Sequence, residues 1–372
     1  MQKRRKNGEG TIYQRPNGLW VCEITLGFDA DGKRLKKTLS SMDLEKLQKK
    51  INDTKFLADR GQLADPSSYT LSSWIEFWLE NYKKNSIKPT TLDCYYYAYE
   101  QHIRDSIGHN KLDKVNPVLL QKRINEISDD GYSSSAISKV YIVLNQSMTQ
   151  AVKNNLIYRN PCDAIILPKS KPRQVMALSA DEQVRFEANC PDTTYGRMFL
   201  FALQTGMRIG EILALVWDDI DFENRIIYVN KTVSTVVNRD RTKDDPKTKQ
   251  VIDTTKTKSG MRTIPMSNKC YDLLKTQEMN KTGVFCFSSA NGKVIMGRNA
   301  RKAFDKILEK AEISVSYTIH SLRHTFATRL IEKGANIKAV SEILGHKSIQ
   351  ITLDTYSHVS TDFKHDTINL LN

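Results

Sequence analysis

No stretch of this chain stays apolar for the roughly 18 residues that a membrane-spanning helix needs. No two of its six cysteines lie closer than the sixteen positions separating Cys270 from Cys286. The first absence leaves no helical membrane anchor in the sequence, and the second leaves no C-x-x-C pair and no disulfide framework, so a reducing cytoplasm fits. An apolar targeting segment is missing too. Met1-Gln2-Lys3-Arg4-Arg5-Lys6 is basic, but Asn7-Gly8-Glu9-Gly10 follows it, so no signal peptide is expected. Acidic residues are in deficit, with 42 Asp and Glu against 56 Lys and Arg for a net charge of +14. That excess favours a polyanionic partner, of which nucleic acid is the commonest. At 372 residues, roughly two or three domains are expected.

Residues 1 to 60 carry 14 Lys and Arg against 8 Asp and Glu, and Lys3, Arg4, Arg5 and Lys6 fall within the first six positions. This end is a candidate DNA arm, with Arg15, Arg34 and Lys36 as further contacts. Thr11 to Arg15, the turn Pro16-Asn17-Gly18, and Trp20, Cys22, Ile24 and Leu26 on alternate positions predict a hairpin with one buried face. Asp31-Gly32 is a two-residue turn signal, and Lys33 to Leu39 a third strand. Ser41 is placed to cap a helix with Asp43 and Glu45 in its first turn and Leu44, Leu47 and Ile51 inward. Gly61 to Ser68 reads as a linker.

Leu71, Trp74, Trp78 and Tyr82 then step along one helical face. Lys88-Pro89-Thr90-Thr91 opens a second helix holding Tyr95, Tyr96, Tyr97 and Tyr99. Base stacking is one use for such a run, but packing is preferred, because Tyr is an amphipathic packer. Helices over about 116 to 128 and 134 to 154 complete a bundle, and Pro168-Lys169-Ser170-Lys171-Pro172-Arg173 is a basic linker. Beyond it the pattern mixes helix and strand. Ser179-Ala180-Asp181-Glu182 is a capping box, and Met198 to Leu203 is an apolar helix stopped at Thr205-Gly206, which puts Arg208 on a turn leading into Ile212-Leu213-Ala214-Leu215. An ion pair of Arg208 with Glu211 is its structural alternative. Ile226 to Val229 is a strand, and the insertion 234 to 250, charged between Arg239 and Lys249, is expected to be solvated and mobile. Thr254 to Gly260 is a strand running into a glycine turn ahead of Met261-Arg262-Thr263-Ile264-Pro265. The expected fold class is multidomain α+β: a three-stranded sheet with one helix, a helical bundle, and a mainly helical domain with a small antiparallel sheet. The expected boundaries are 1–65, 69–168 and 174–372.

His320 and Arg323 stand three apart in a segment whose Leu322, Phe326 and Leu330 recur every four, so a helix sets both on one face. Ala339, Val340, Ile343 and Leu344 form a second amphipathic helix stopped by Gly345, which leaves His346 at the mouth of the turn. Tyr356 follows ten residues later. A phenol with a pKa of about 10 is a poor nucleophile at neutral pH, so a covalently used Tyr needs cations and proton acceptors around it. Arg and His are what this stretch supplies. His320-Ser321-Leu322-Arg323, Leu344-Gly345-His346 and Tyr356 resemble the H-x-x-R, L-G-H and Tyr signature of the tyrosine recombinase (phage integrase) family. Thr205-Gly206-Met207-Arg208-Ile209-Gly210-Glu211 matches that family's T-G-x-R-x-G-E box at every fixed position. The spacing of ten from His346 to Tyr356, where many relatives have nine, is consistent with one extra residue in the intervening turn.

The resemblance implies an integrase of a phage or of an integrative or conjugative element. It implies an arm-binding domain whose sheet lies in a DNA groove, a core-binding bundle and a catalytic domain. By the same resemblance the chain cleaves DNA through a 3′-phosphotyrosine at Tyr356 and religates it, with Arg208 and Arg323 clamping the scissile phosphate. His320 would be the general base, His346 a hydrogen-bond donor to the phosphate, and a hairpin lysine the acid for the leaving 5′ oxygen. T-K-T followed by R-x-I-P points to Lys256, and Lys258, on the same strand face, is the alternative. No cofactor and no metal are implied. The implied partners are double-stranded DNA at core and arm sites and a homotetramer on that DNA, with room for an excision factor or a host DNA-bending protein. No membrane is involved, and the compartment is a bacterial cytoplasm at the nucleoid. Phe363, Ile368, Leu370 and Leu371 are expected to dock on a neighbouring protomer. A zinc site of His320, His324 and His346 is a rival, but it lacks the Glu of H-E-x-x-H and has Arg323 beside it. A non-catalytic DNA-binding regulator has no use for the full set of Arg, Lys, His and Tyr. A type IB topoisomerase leaves a separate basic arm domain unexplained.

Overall fold

A computed structural model of the chain describes residues 11–28, 34–59, 69–169, 176–254 and 261–353. It divides into two compact units, Met1–Lys171 and Pro172–Asn372. The expected Gly61 to Ser68 linker, the Asp31-Gly32 turn and residues 170–173 of the basic linker lie outside the described residues.

The first unit opens with strands β1 (Thr11–Gln14), β2 (Trp20–Phe28) and β3 (Arg34–Ser41), antiparallel in the order β1-β2-β3. Helix α1 (Leu44–Asp59) packs against them, with Cys22, Ile24, Leu47 and Ile51 as its core. Two expectations change here. Asp43 caps α1, its Oδ1 accepting from the Glu45 and Lys46 backbone N–H groups at 2.8 and 3.2 Å, while the Ser41 hydroxyl reaches only the Asp43 N–H. Leu44, at the first position of α1, is exposed instead of inward.

The bundle follows as α2 (Leu71–Trp78), α3 (Pro89–Tyr99), α4 (Pro117–Asp129) and α5 (Ser134–Lys153). Trp74 and Trp78 are core, and the Trp74 indole donates to the Ser147 carbonyl at 2.9 Å. Tyr82 leaves their face, because a π-helical turn at Leu79–Lys83 shifts the phase after Trp78. It is half-exposed, and its hydroxyl accepts from Asn154. The tyrosine run divides its roles. Tyr99 is buried with its hydroxyl on Glu76, Tyr95 stacks on Trp78 at 6.1 Å, and Tyr97 is exposed.

The second unit contains α6 (Ala180–Asn189), α7 (Thr194–Thr205), α8 (Ile209–Ala214), β4 (Ile220–Asp221), β5 (Ile226–Val229), β6 (Lys231–Val237), β7 (Thr248–Thr254) and β8 (Arg262–Pro265). Helices α9 (Asn268–Met279), α10 (Gly297–Lys310), α11 (Ile319–Glu332) and α12 (Ile337–Leu344) follow. Strands pair in the order β4-β5-β8, and β6 and β7 form a separate antiparallel ribbon from Lys231 opposite Thr254 to Val237 opposite Thr248. The insertion 234–250 is therefore not an unstructured excursion. Its arms are β-branched (K-T-V-S-T-V-V against T-K-Q-V-I-D-T), Val233 and Val236 are buried, and most of the charge is confined to the turn. Phe186, Phe199, Phe201, Phe287 and Phe304 fill the core beneath α7 and α10.

Candidate active site

The site is built where α7, α8, α11 and α12 end or begin. Helix α7 stops at Gly206, which takes φ 62°. A Cβ there would stand 2.4 Å from the Phe326 ring and 3.0 Å from Leu344. Glycine therefore meets both demands, the left-handed turn and the close approach of α11 and α12. The reversal delivers Arg208 as the N-cap of α8. Its backbone N–H donates to Glu211 Oε2 at 2.9 Å and its Nη1 to Glu211 Oε1 at 2.8 Å. The ion pair with Glu211 is thus real, yet 41% of the Arg208 side chain stays exposed, so pairing does not remove it from the surface.

A second arginine shares that carboxylate. Arg262, the first residue of β8, donates from Nη1 and Nη2 to the two Glu211 oxygens at 3.1 and 2.7 Å. Burial alone would raise the Glu211 pKa, but the Arg262 hydrogen bonds and charge, and then those of Arg208, outweigh it and hold the carboxyl below the usual range.

The three arginines meet at the C-terminal end of α12. The last carbonyls of a helix have no partner within it. Here Gly345, at φ 67°, turns its N–H back to Glu342 O, and the His346 N–H reaches Ser341 O. The next three carbonyls each take an arginine: Arg262 Nε donates to Ile343 O at 2.6 Å, Arg323 Nη2 to Leu344 O at 2.8 Å, and Arg208 Nη2 to Gly345 O at 3.2 Å. Arg323 also donates from Nη1 to Gly206 O at 2.8 Å and is 2% exposed. The negative end of the α12 dipole therefore gathers three guanidinium groups against one carboxylate, leaving a cationic site suited to an anion.

The histidines complete it. His320 lies at the surface of α11, and its pKa is lowered by the surrounding protein, then by Arg323 and Arg208. His324 packs edge-to-face on His320, ring centroids 4.7 Å apart, as a structural partner. Burial and then His320 and Arg323 push His324 down to about 4, and burial with Arg323 and Arg208 does the same to His346. A neutral His320 is competent to accept a proton. His346 Nδ1 lies 2.8 Å from the hydroxyl of buried Thr352; with Thr352 donating, the ring proton sits on Nε2 and can be given to a phosphate oxygen. Among the described residues no group of three His, Cys, Asp or Glu is arranged to hold a metal ion.

These shifts carry a stability prediction. Folding lowers His324 and His346 from 6.5 to about 4, so across that window the unfolded chain binds the extra protons. Their contribution is full above pH 6.5 and lost as pH falls toward 4. The urea-unfolding midpoint is expected to drop on acidification through this range, and His324→Gln to flatten the drop; a midpoint that stays constant would contradict the assignment.

The structure brings Arg208, His320, Arg323 and His346 together. Lys256, Lys258, Tyr356, the tail residues Phe363 to Leu371, and Lys3, Arg4, Arg5 and Lys6 lie outside the described residues. Arg15 is exposed just after β1, Lys36 is exposed on β3, and Arg34 is placed on β3 by its backbone. Arg262 and Thr352 are not singled out by the sequence. Arg262 shows there only as the R of R-x-I-P, and nothing local marks Thr352.

The description Phage integrase family matches residues 177–362, and the description Phage integrase, N-terminal SAM-like domain matches residues 70–128. A tyrosine recombinase XerC-like protein of Caldanaerobacter subterraneus subsp. tengcongensis is 28% identical over 371 residues, covering 94% of both chains. The transposase from transposon Tn916 of Enterococcus faecalis is 27% identical, covering 76% of this chain and 73% of its own length. Among solved structures, the Tn1549 transposon integrase in complex with a circular intermediate DNA superposes with a TM-score of 0.68 at 24% identity, over 82% of this chain and all of that one. A lambda integrase tetramer bound to a Holliday junction superposes with a TM-score of 0.61 at 20% identity, over 95% of this chain and 96% of that one.

Proposed function

The chain belongs to the phage integrase family, and we propose that it is a site-specific tyrosine recombinase that integrates and excises a mobile element. The observation that carries this is the convergence of Arg208, Arg323 and His346 on one end of α12 with His320 alongside. In the proposed cycle the Tyr356 phenolic oxygen attacks the scissile phosphorus and its proton passes to His320. An O–P bond forms, the bond from phosphorus to the 5′ oxygen breaks, and Lys256, or Lys258 in its place, gives that oxygen its proton. Arg208 and Arg323 hold the charge that develops on the non-bridging oxygens, and His346 donates to one of them. Attack of a 5′ hydroxyl from another strand reverses the step, so the bond's energy is kept and neither nucleotide nor metal is consumed.

Residues 1–65 would be the arm-binding domain, with its basic N-terminus, Arg15, Arg34 and Lys36 against phosphates; residues 69–168 the core-binding domain; and 174–372 the catalytic domain. The assembly proposed is a homotetramer on double-stranded DNA in a bacterial cytoplasm, aided by an excision factor or a DNA-bending protein. Among the described residues no helix is long and apolar enough to cross a membrane.

In EDTA, the protein with plasmid DNA carrying its own locus and target is expected to yield recombinant joints. On a nicked substrate a covalent protein–DNA adduct should accumulate. Relaxed plasmid without joints would favour the topoisomerase reading, and binding without adduct the regulator.

A further inference from the structure

We propose that Arg262 is a positioning residue for strand cleavage, acting through Arg208. The inference rests on the recombinase reading above and adds a third arginine to it. Arg262 spends its donors within the protein. Its side chain is 7% exposed, and all three of its nitrogens are engaged: Nη1 and Nη2 with the Glu211 carboxylate, Nε with Ile343 O. What it does is fix the two groups on which Arg208 rests. The Glu211 carboxylate, held from one side by the Arg262 fork, accepts both the backbone N–H and Nη1 of Arg208. The end of α12, held by Arg262 at Ile343, presents the Gly345 carbonyl to Arg208 Nη2.

The two arginines differ in the way this division of labour requires. Arg208 is 41% exposed and open to a ligand, whereas Glu211 and Arg262 are buried. A long, flexible arginine on the surface gains aim from a buried partner whose own position is fixed at three points. Glu211 has 4% of its side chain exposed, so a second cation is needed to keep it ionised and in place.

Arg262→Lys keeps one positive charge but cannot bond both Glu211 oxygens and the Ile343 carbonyl at once. It is expected to slow cleavage of ordinary duplex by roughly 10²-fold, the scale on which small misplacements of a catalytic group act. Duplex affinity should be retained, which also checks folding. Glu211→Gln, which keeps the shape and drops the charge, should give the same phenotype.

The decisive probe is a duplex whose scissile phosphate is replaced by a methylphosphonate. A methyl group there replaces one charged oxygen, so the need for Arg208 to neutralise it is removed. On that substrate Arg208→Ala, Arg262→Lys and Glu211→Gln are all expected to cleave at rates close to the parent protein's. Rescue of Arg208→Ala without rescue of Arg262→Lys would overturn the inference and reduce Arg262 to a fold-stabilising residue. Failure to rescue Arg208→Ala would remove Arg208 as the phosphate clamp and take the inference with it.

Discussion

Tyr356→Phe is expected to reduce DNA strand cleavage to background while leaving duplex binding intact. The substitution removes one oxygen, and that oxygen is the only protein atom proposed to bond to phosphorus. Its unperturbed pKa of about 10 makes the phenol unreactive without help. The second unit supplies that help in two forms. Three arginines at the end of α12 favour the anion, and His320, whose pKa is lowered by the surrounding protein and then by Arg323 and Arg208, is shifted toward the neutral form that can accept a proton. Arg323 is anchored on Gly206 O and Leu344 O and Arg208 on Glu211, so these anchors should survive its loss. The measurement is a nicked substrate whose cleaved end cannot religate, with adduct resolved on a denaturing gel. An adduct formed by the Phe variant would move the nucleophile to another residue, whereas loss of binding would show that the hydroxyl is also needed to hold the site or the DNA.

What the sequence disclosed follows from the range of each interaction. Caps, helix faces and the glycine stops are local. The Ser179 to Glu182 box, the Thr205-Gly206 stop of α7 and the Gly345 stop of α12 appear where spacing puts them. Local chemistry also misleads within a residue or two. Asp43 wins the α1 cap from Ser41 because it stands nearer the first free N–H groups, and a π-turn invisible to periodicity rotates Tyr82 out of the core. The β6–β7 ribbon is obscured because its charged turn dominates the composition of a segment whose arms are rich in β-branched residues. The site is legible as a set of residues but not as a construction. His320 and Arg323 are visible three apart on α11, whereas the bond from Arg262 to Ile343 O spans 81 positions and that from Arg208 to Gly345 O spans 137. No local pattern signals that three arginines share consecutive carbonyls.

That shared construction sets the expectation for Arg323→Lys, which should lose both cleavage and stability, where Arg208→Lys loses mainly cleavage. Arg323 is 2% exposed, and its two terminal nitrogens tie Gly206 O to Leu344 O, joining the stop of α7 to the end of α12. An ammonium is a point donor and cannot hold both carbonyls in the geometry of a planar fork. One buried carbonyl would be left unpaired, a loss of roughly 1–3 kcal/mol. Cleavage should fall by about 10² to 10³, the cost of removing one fixed donor from a developing oxyanion. Arg208 is half-exposed and its carbonyl bond is the longest of the three at 3.2 Å, so its lysine variant should melt close to the parent protein while still cleaving poorly. The two variants are compared by thermal melting and by single-turnover cleavage at saturating DNA, well below either melting point. Near-normal cleavage by Arg323→Lys with lowered melting would make Arg323 a clamp of the fold alone. Equal melting losses in both variants would mean that Arg208 too is held chiefly for structure.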